Sequence, residues 1–418
     1  MNNNMKVILF EDKKIEDLHP ITLTRPGFDI LCGGVTLIEL LRQQFKPAKI
    51  DFLVRDYLKK ICHQRYRPFL KPDSEILFLD SCLVPSFEMI KFLAKKVAVD
   101  KSVVFKNKNQ ILGAYLGLKE FSFRPDKIKR LKFLEVEKFL SGLKLKIEKV
   151  NWKTFEHPWD VITYNEEILP ENLKYISSKL KEIKPKVFIG KNVKIEEYVS
   201  FNSADGPIVI DDNTWIKSMS VLCGPIYIGK NCIINSHAEI KHSACIGEVC
   251  KVGGEVEVSV FQGYSNKQHL GFLGSSYIGS WINIGAGTTN SDLKNTYSTV
   301  KMLGYDTKKK FLGCIIGDYS KTSINTSIFT GKVIGVNSFL YGTIDNDVPS
   351  FTNSGSQFDV PIEFLLAAAI KVQKAMMQRR KIKQTAADIK LLKDIFEFTK
   401  KERKQANVKQ GKLFFNNK

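Results

Sequence analysis

The sequence lacks three features that mark common classes of protein. It contains no stretch of about 18 uninterrupted apolar residues, so it predicts no membrane-spanning helix and no membrane partner. The start, Met1-Asn2-Asn3-Asn4-Met5, has no basic segment followed by an apolar one, so we expect no signal peptide. The eight cysteines are scattered without CxxC spacing, which predicts reduced thiols, mostly in the core. Together these absences favour a cytoplasmic protein.

Acidic residues are also scarce relative to basic ones. The chain has 44 Asp and Glu residues against 64 Lys and Arg residues, which gives a formal net charge of +20 at pH 7. Such a surface favours anionic ligands such as phosphorylated small molecules. The basic residues are spread along the chain, without a basic run interleaved by stacking aromatic residues. We therefore expect phosphorylated small molecules as partners, and no nucleic acid.

A repeat of six residues dominates the second half of the chain. An aliphatic residue stands at every sixth position from Ile210 to Val258, and a second series runs from Ile316 to Leu340 with one threonine in it. A helix repeats every 3.6 residues and a half-buried strand every two, so neither explains a sustained period of six. Hexapeptide rungs do, because each places one aliphatic side chain in a stacked apolar column. The period predicts a parallel β-helix over residues 187–345.

The first part of the chain, residues 5–180, alternates short apolar runs with helical patterns. This alternation predicts an α/β domain with a largely parallel sheet, whose ligand sites lie beyond the carboxyl ends of the strands. The predicted strands are Lys6–Phe10, Lys49–Val54, Glu75–Leu79 and Ser102–Phe105, and the predicted helices are Thr36–Phe45, Asp56–Gln64 and Ser86–Lys95. A helical connector is expected at Leu173–Ile183, and a C-terminal helical extension at 361–406, helical from Glu363 to about Arg403.

Two interruptions of the six-residue period predict where function resides. The step from Val258 to Ile278 is 20 residues rather than 18, which predicts a loop with two extra residues around Ser265–Phe272. This loop contains His269, and histidine is the side chain best suited to proton transfer near neutral pH. The 32-residue step from Ile284 to Ile316 contains the polar segment Asn290–Asn295. Loops that interrupt a stiff solenoid are common sites of function.

The segments around these interruptions resemble a known family. His269-Leu-Gly-Phe-Leu-Gly, followed after fourteen residues by Asn283-Ile-Gly-Ala-Gly-Thr, is similar to the acetyltransferase domain of GlmU, a bifunctional enzyme that makes UDP-N-acetylglucosamine. An alternative branch of that family, described as sugar nucleotidyltransferases, resembles the chain most. Its hallmarks stand at Gly206–Ile208, Cys250–Val256, Tyr264–Lys267, Ser291–Asn295 and Ile316–Thr322, and the likeness extends over about residues 6–400.

The resemblance implies a left-handed parallel β-helix, a homotrimer, and acetyl transfer from acetyl-CoA to the amine of glucosamine-1-phosphate. It also implies roles for single residues. His269 matches the base and Asn283 matches a contact to the sugar. The remaining assignments are Lys241, Lys251, Lys267 and Lys294 for the substrate, and Lys321, Thr330 and Gly331 for acetyl-CoA.

The N-terminal part resembles the nucleotidyltransferase domain of the same branch, through Phe10-Glu11-Asp12, Leu18–Pro26 and Gly33-Gly34. This implies coupling of N-acetylglucosamine-1-phosphate to UTP with Mg²⁺. The Gly-rich, Arg-containing loop of ordinary sugar nucleotidyltransferases is absent, so phosphate binding is assigned to Arg25 and to loop amides around Gly33-Gly34.

Two aspartates are the metal candidates of this part. Asp80 follows an apolar run, where a magnesium-binding carboxylate belongs in an α/β domain, and Asp160 lies in the segment His157–Asp160, which resembles a signature of the branch. Simpler interpretations stay open at this stage. Arg25 fits a surface turn, Asp80 fits a cap of the following segment, and Trp159 fits a packing role at a domain junction.

Two departures from GlmU leave alternatives open. A tyrosine three residues past the histidine is Phe272 here, and a basic residue twelve before it is Glu257. They allow a different acetyl acceptor, or a single-activity nucleotidyltransferase, for another nucleotide or sugar, whose coil only trimerises or senses metabolites. The missing Gly-rich loop allows the reverse, an acetyltransferase with a degenerate N-terminal domain. A zinc site with His237 and His242, five residues apart, and a purely structural scaffold are further alternatives.

Overall fold

The structure is a computed structural model, and it describes residues 5–45, 49–66, 75–99, 101–117, 128 and 130–411. These residues form two compact units. The first comprises Met1–Ile30 and Val35–His157, and the second comprises Leu31–Gly34 and Pro158–Lys418. Among the described residues, no helix combines the length and the apolar character needed to cross a membrane.

The first unit is a six-stranded sheet flanked by helices. Its strands are β1 (Lys6–Phe10), β2 (Lys49–Leu53), β3 (Ile76–Asp80), β4 (Val103–Asn107), β5 (Gln110–Leu116) and β6 (Lys146–Lys149). Its helices are α1 (Leu37–Gln44), α2 (Lys59–Tyr66), α3 (Phe87–Val97) and α4 (Val136–Ser141), with 3₁₀ turns at Lys13–Leu18, Gly27–Asp29, Asp56–Leu58 and Phe133–Glu135. The strand order is β2-β1-β3-β5-β4-β6.

The predicted elements of this unit are confirmed, with boundaries that differ by a few residues. The sheet is mixed rather than largely parallel, because β5 runs antiparallel to both β3 and β4. A two-residue turn joins β4 to β5, and so short a connection permits only antiparallel neighbours. Parallel pairing is retained where β1 lies between β2 and β3.

The helix that connects the α/β pattern to the hexapeptide repeat is longer than predicted. Helix α5 runs from Asp160 to Ser177 and passes through Pro170, and the strand Lys181–Lys184 follows it. A proline inside a helix leaves the carbonyl of the residue four positions earlier without its donor. Here that residue is Glu166, which is exposed, so water can satisfy the carbonyl. The predicted helix at Leu173–Ile183 was therefore wrong at both ends.

The second unit is dominated by a left-handed β-helix of about nine turns, as predicted. Its strands stack on three faces. Face A consists of Val187–Ile189, Ile208–Ile210, Ile226–Ile228, Cys245–Ile246, Val260–Gly263, Tyr277–Ser280, Ile315–Ile316 and Val333–Ile334. Face B consists of Lys194–Ile195, Trp215–Ile216, Ile233–Ile234, Lys251–Val252, Asn266–Lys267, Lys321–Thr322, Phe339–Leu340, Thr352–Ser354 and Ile362–Glu363. Face C consists of Ser200–Asn202, Val221–Cys223, Glu239–Lys241, Glu255–Glu257, Phe272–Gly274, Thr289–Asn290, Ser327–Ile328 and Thr343–Ile344.

The first interruption of the repeat differs from the prediction. Strand register places Val256, not Val258, in the apolar column, opposite Ile240. The column then continues through Phe261, Lys267, Leu273 and Ile278, because these residues pair with column members of neighbouring turns. The steps on either side of Val256 are four and five residues long, whereas the step from Lys267 to Leu273 has the regular six. His269 therefore lies in a turn of ordinary length, and the irregularity is a shortening rather than an insertion.

The second interruption is a true insertion. Asn290 occupies a column position on face C, where it pairs with Ile328, and the next column residue is Ile316. Between them the chain leaves the solenoid and forms a hairpin of Lys301–Met302 with Tyr305–Asp306.

The C-terminal extension consists of three helices rather than one: α6 (Leu366–Arg379), α7 (Ala386–Phe398) and α8 (Lys400–Gln405). Thr385 begins the second helix with a capping box, in which its hydroxyl accepts from the amide of Asp388 and the Asp388 carboxylate accepts from the amide of Thr385. Such a box specifies a helix start, which is why the apolar stripe does not continue as one helix.

Candidate functional sites

In the first unit, acidic side chains gather where β1 and β3 end. Asp80 pairs in register with Phe10, so the residues that follow β1, Glu11 and Asp12, begin beside it. The Asp80 carboxylate is buried; it accepts from the amide of Cys82 at 2.7 Å and from Nε2 of Gln110 at 3.1 Å. Burial and the nearby Asp12 raise the pKa of Asp80 to about 7. Burial also raises the pKa of Asp12.

A buried ion pair fixes the loop that follows these strands. The guanidinium of Arg55 donates to both carboxylate oxygens of Glu11, at 3.0 and 3.1 Å, and also to the carbonyls of Thr22 and Arg25. A two-point contact of this kind holds a loop in one orientation. The sequence analysis did not single out Arg55, because its partner is 44 residues away.

Arg25 and the pair Gly33-Gly34, all predicted to bind phosphate, belong to different units of the fold. Arg25 is buried rather than in a surface turn, and its Nη1 lies 3.2 Å from the Asp29 carboxylate. Gly33 and Gly34 belong to the second unit. The Gly33 amide donates to Asn165 at 2.9 Å, and the Gly33 carbonyl accepts from Asn172 at 3.0 Å. The Gly33 amide is therefore already bonded within the fold, and phosphate binding at Gly33-Gly34 stays a prediction.

The residues of the segment His157–Asn165 have different surroundings. Asp160 begins helix α5 in the second unit, whereas Asp80 belongs to the first. Trp159 is buried and packs on Tyr305 of the inserted hairpin, with ring centroids 6.3 Å apart. Asn165 is buried, and its amide donates to the carbonyl of Ser243 at 2.8 Å. These contacts give Trp159 and Asn165 structural roles in the second unit.

In the β-helix, His269 is exposed in the turn from face B to face C. Lys267, two residues earlier, is 2% exposed and fills a column position that is aliphatic in the preceding turns of face B. Its ammonium donates to the carbonyls of Gly253, His269 and Gly271, at 2.8, 3.2 and 2.6 Å. Burial lowers the pKa of Lys267 to about 8. Lys267 therefore holds the backbone of the His269 turn, and its contact to the substrate stays a prediction.

A pocket of about 240 Å³ brings together several of the other predicted residues. Face B contributes Lys251, Asn283 and Lys321, and the pocket is also lined by Gln268, which directly precedes His269. From the opposite side come Arg379, in the last turn of α6, and Arg380, the residue that caps it. Nη2 of Arg380 donates to Oδ1 of Asn266 at 2.8 Å. The two arginines were not predicted, because the predicted helix runs on to about Arg403 and places them in its middle, whereas the helix in the structure ends at Arg379.

The other predicted residues of the β-helix lie outside this pocket. Lys241, on face C, forms ion pairs with Glu239, Glu255 and Glu257 at 3.4, 2.8 and 3.3 Å. Hydrogen bonding to these carboxylates raises its pKa. Lys294 donates to the carbonyl of Thr299 within the insertion, at 2.9 Å.

Two residues assigned to acetyl-CoA occupy another corner of the solenoid. Thr330 and Gly331 form the turn from face C to face A. The amide of Gly331 donates to the carbonyl of Gly313 at 2.7 Å, and a Cβ there would lie 2.4 Å from the carbonyl oxygen of Lys301. Gly331 therefore lets the insertion pack against the solenoid, and of the predicted acetyl-CoA residues only Lys321 lines the pocket.

The zinc alternative has no site in the described part of the chain, where no group of three or more His, Cys, Asp or Glu residues is arranged to hold a metal ion. His237 and His242 are both exposed. All eight cysteines are free, and seven of them are buried, as predicted.

Comparisons with known proteins agree with this two-part architecture. Residues 7–181 match the family described as sugar nucleotidyl transferase, and residues 207–242 match six repeats of the bacterial transferase hexapeptide. A bifunctional protein GlmU of Methanococcus aeolicus is 35% identical over 52% of this chain and 50% of its own length. A bifunctional sugar-1-phosphate nucleotidylyltransferase/acetyltransferase of Sulfurisphaera tokodaii is 32% identical over 47% of each chain.

The chain thus spans about half the length of these curated relatives. A solved UDP-N-acetylglucosamine acyltransferase of Francisella novicida covers 53% of this chain and 87% of its own, at 16% identity and a TM-score of 0.24, which is too low for a structural argument. The chain thus combines a segment that matches a sugar nucleotidyl transferase family with bacterial transferase hexapeptide repeats.

Proposed function

We propose that the chain carries out two successive transfers in the synthesis of a sugar nucleotide. The β-helix moves an acetyl group from acetyl-CoA to the amine of glucosamine-1-phosphate. The first unit then joins the N-acetylglucosamine-1-phosphate to the uridylyl group of UTP and releases pyrophosphate. The proposal is supported by the joint presence of a sugar nucleotidyl transferase domain and transferase hexapeptide repeats, and by relatives named as bifunctional enzymes.

The observation that carries the acetyl-transfer half is the exposed imidazole of His269 on a turn whose backbone is fixed by Lys267. An ammonium group cannot attack a thioester, so the acceptor must first lose a proton. The neutral amine nitrogen then forms a bond to the acetyl carbon, and His269 accepts the second proton, which the nitrogen loses as the amide forms. The carbon–sulfur bond then breaks and coenzyme A leaves as its thiolate. Asn283, which the resemblance assigns to the sugar, is exposed on face B next to Asn266.

For the nucleotidyl half, the acidic end of the first sheet fits a magnesium ion. Mg²⁺ sites in enzymes of phosphoryl chemistry commonly use one or two carboxylates and complete the coordination with substrate phosphates. Burial raises the pKa of Asp80 and the nearby Asp12 raises it further, so a cation would relieve the repulsion at Asp80. The ion, when bound, would neutralise phosphate charge. Asp160 is not part of this pair and stays a separate prediction.

A different amine-bearing acceptor is the second candidate for the acetyl-transfer half. On face C, Glu257 stands where the resemblance expects a basic residue, and with Glu239 and Glu255 it surrounds Lys241. Three carboxylates around one ammonium leave a net negative charge, which disfavours a phosphate at this place. A screen of amino sugars with and without a 1-phosphate, with acetyl-CoA as donor, distinguishes the two acceptors.

A two-part assay tests the main proposal. Purified protein is expected to release coenzyme A with glucosamine-1-phosphate, and to release pyrophosphate from UTP with N-acetylglucosamine-1-phosphate and Mg²⁺. His269→Ala should lower acetyl transfer by roughly 10²–10⁴ and leave pyrophosphate release intact. His237→Ala, which removes another exposed histidine of the same solenoid, serves as the matched control. Failure of both reactions in the unmodified protein refutes the proposal, and an unchanged acetylation rate in His269→Ala removes that residue from the role.

A further inference from the structure

The pocket between face B and the C-terminal helix α6 has an unbalanced charge. Four of the residues that line it are basic, Lys251, Lys321, Arg379 and Arg380, and none of its described lining residues is acidic. Two of the four come from the solenoid and two from the end of the helix, so the cations face one another across the pocket. Such a concentration of one sign of charge in a concave site attracts an anion.

The electrostatic environment of the two lysines agrees with this description. Burial lowers the pKa of Lys251, and the positive charges of Arg380, Arg379 and Lys217 lower it further. Burial lowers the pKa of Lys321 to about 7. The shift of Lys251 reports the cost of burial and of neighbouring cations, and the shift of Lys321 reports the cost of burying its charge. A bound anion would remove that cost.

The geometry of the arginines suits a phosphoryl group. A guanidinium offers a planar fork of donors that matches two phosphate oxygens at once. The Nη2 of Arg380 is already held at 2.8 Å by Oδ1 of Asn266, which orients the rest of its fork. Lys321 donates to the carbonyl of Tyr319 at 2.9 Å and lies over the ring of Phe339, at 5.0 Å from its centroid. Both cations are therefore positioned before any ligand arrives.

The same pocket has an aromatic wall. Tyr264 and Trp281 line it and stack on each other, with ring centroids 4.7 Å apart and an interplanar angle of 23°. The Tyr264 hydroxyl is bonded to Glu248, which with burial raises its pKa to about 12 and fixes the ring. Paired flat rings beside a group of cations form a surface on which a nucleobase stacks.

We propose that this pocket binds the phosphate-bearing end of a nucleotide, with Arg379, Arg380 and the two lysines around the phosphate and the Tyr264–Trp281 pair against the base. Its volume of about 240 Å³ lies slightly below the ~300–1,000 Å³ of common ligand pockets, which suits one end of a larger molecule. The nucleotide has two possible sources, the adenosine phosphate end of the acetyl-CoA donor or a free nucleotide. The assignment to acetyl-CoA rests on the proposed function, whereas the binding of a nucleotide in this pocket does not depend on it.

Calorimetric titration of the full chain tests the proposal, because it reports binding whether or not acetyl transfer occurs. The probes are adenosine 3′,5′-bisphosphate, uridine diphosphate, inorganic phosphate and unphosphorylated adenosine. We expect at least one of the nucleotides to bind more tightly than inorganic phosphate, and adenosine to bind too weakly to measure. Arg379→Ala and Arg380→Ala should each weaken nucleotide binding about tenfold or more, since each removes charge-assisted contacts. Trp281→Leu should weaken nucleotide binding and leave phosphate binding unchanged.

Lys374→Ala is the matched control, because Lys374 is an exposed basic residue of the same helix that does not line the pocket. Tighter binding of the adenosine bisphosphate, with competition against acetyl-CoA, assigns the pocket to the donor. Tighter binding of uridine diphosphate without such competition assigns it to a free nucleotide. The proposal is overturned if neither nucleotide binds, if the arginine variants bind as well as Lys374→Ala, or if Trp281→Leu has no effect.

Discussion

The ammonium group of Lys267 lies inside an apolar column, and it donates hydrogen bonds to three carbonyls in and beside the turn that contains His269. Lys267→Met restores an apolar side chain at this position but removes all three donors. We expect its kcat for acetyl transfer to fall by about 10–100-fold, because a displacement near 1 Å at a catalytic group costs that much. The free energy of unfolding should change by no more than about 2 kcal/mol, since relief from burying a charge offsets the lost hydrogen bonds.

Steady-state kinetics and urea unfolding of the same preparation separate these two effects. Lys194→Met is the control, because Lys194 is an exposed lysine on a distant turn of face B. If Lys267→Met keeps its kcat while losing stability, Lys267 supports the fold and does not position His269.

Lys321 gives a prediction about pH. Its pKa is lowered to about 7 in the folded chain from the model-compound value of 10.5, so between these values the unfolded chain binds more protons than the folded one. The contribution of Lys321 to the free energy of unfolding therefore rises with pH between about 7 and 10.5. From pH 6 to pH 9, we expect the free energy of unfolding of the unmodified protein to rise by about 2 kcal/mol relative to that of Lys321→Met. Urea unfolding at the two pH values measures it, and an unchanged difference contradicts the lowered pKa.

Residue types and local spacing were enough to find part of the candidate site. Asn283 and Lys251 lie at outward positions of predicted strands, so the period predicts both their exposure and their common face. Arg380 reaches the site from 114 residues away, and nothing in its neighbourhood specifies that contact. Lys267 was assigned to the substrate by the resemblance, and its place in the column was not predicted because lysines rarely occupy an apolar column. Its burial depends on carbonyls that converge only when the turns stack.

At the scale of elements, the six-residue period predicts the solenoid but not where its rungs shorten. The turn at Gly253-Gly254 is shorter than the turns before it, so the column residue is Val256 rather than Val258. Counting every sixth residue past this turn therefore assigns the wrong residues to the column. Glycine allows so tight a turn because Gly254 adopts a φ of +68°. The helices show the same limit. The apolar stripe after 363 is real, but the capping box at Thr385 divides it.

At the scale of the whole molecule, the described part of the chain leaves large apolar side chains of the β-helix exposed. Tyr198, Met219, Leu270 and Ile324 are between 52% and 76% exposed, and all four lie in turns from face B to face C. Large apolar residues aligned along one edge of a solenoid mark a surface that associates with another molecule. Since the repeats stack into one straight edge, a second copy of the same chain is a matching partner.

This edge leads to a prediction of assembly. We expect the protein to sediment as a homotrimer, and we expect the double variant Met219→Glu and Ile324→Glu to dissociate towards the monomer, because two buried carboxylates on each chain would lose their hydration at the interface. Lys230→Glu introduces an acidic residue in a turn from face A to face B and should leave the trimer intact. Sedimentation equilibrium over a range of protein concentrations measures the mass of each. Because His269 lies in a turn of the same edge, next to the exposed Leu270, acetyl transfer should fall with dissociation while pyrophosphate release by the first unit continues. A monomeric unmodified protein with full acetyl-transfer activity would exclude a site completed by neighbouring chains.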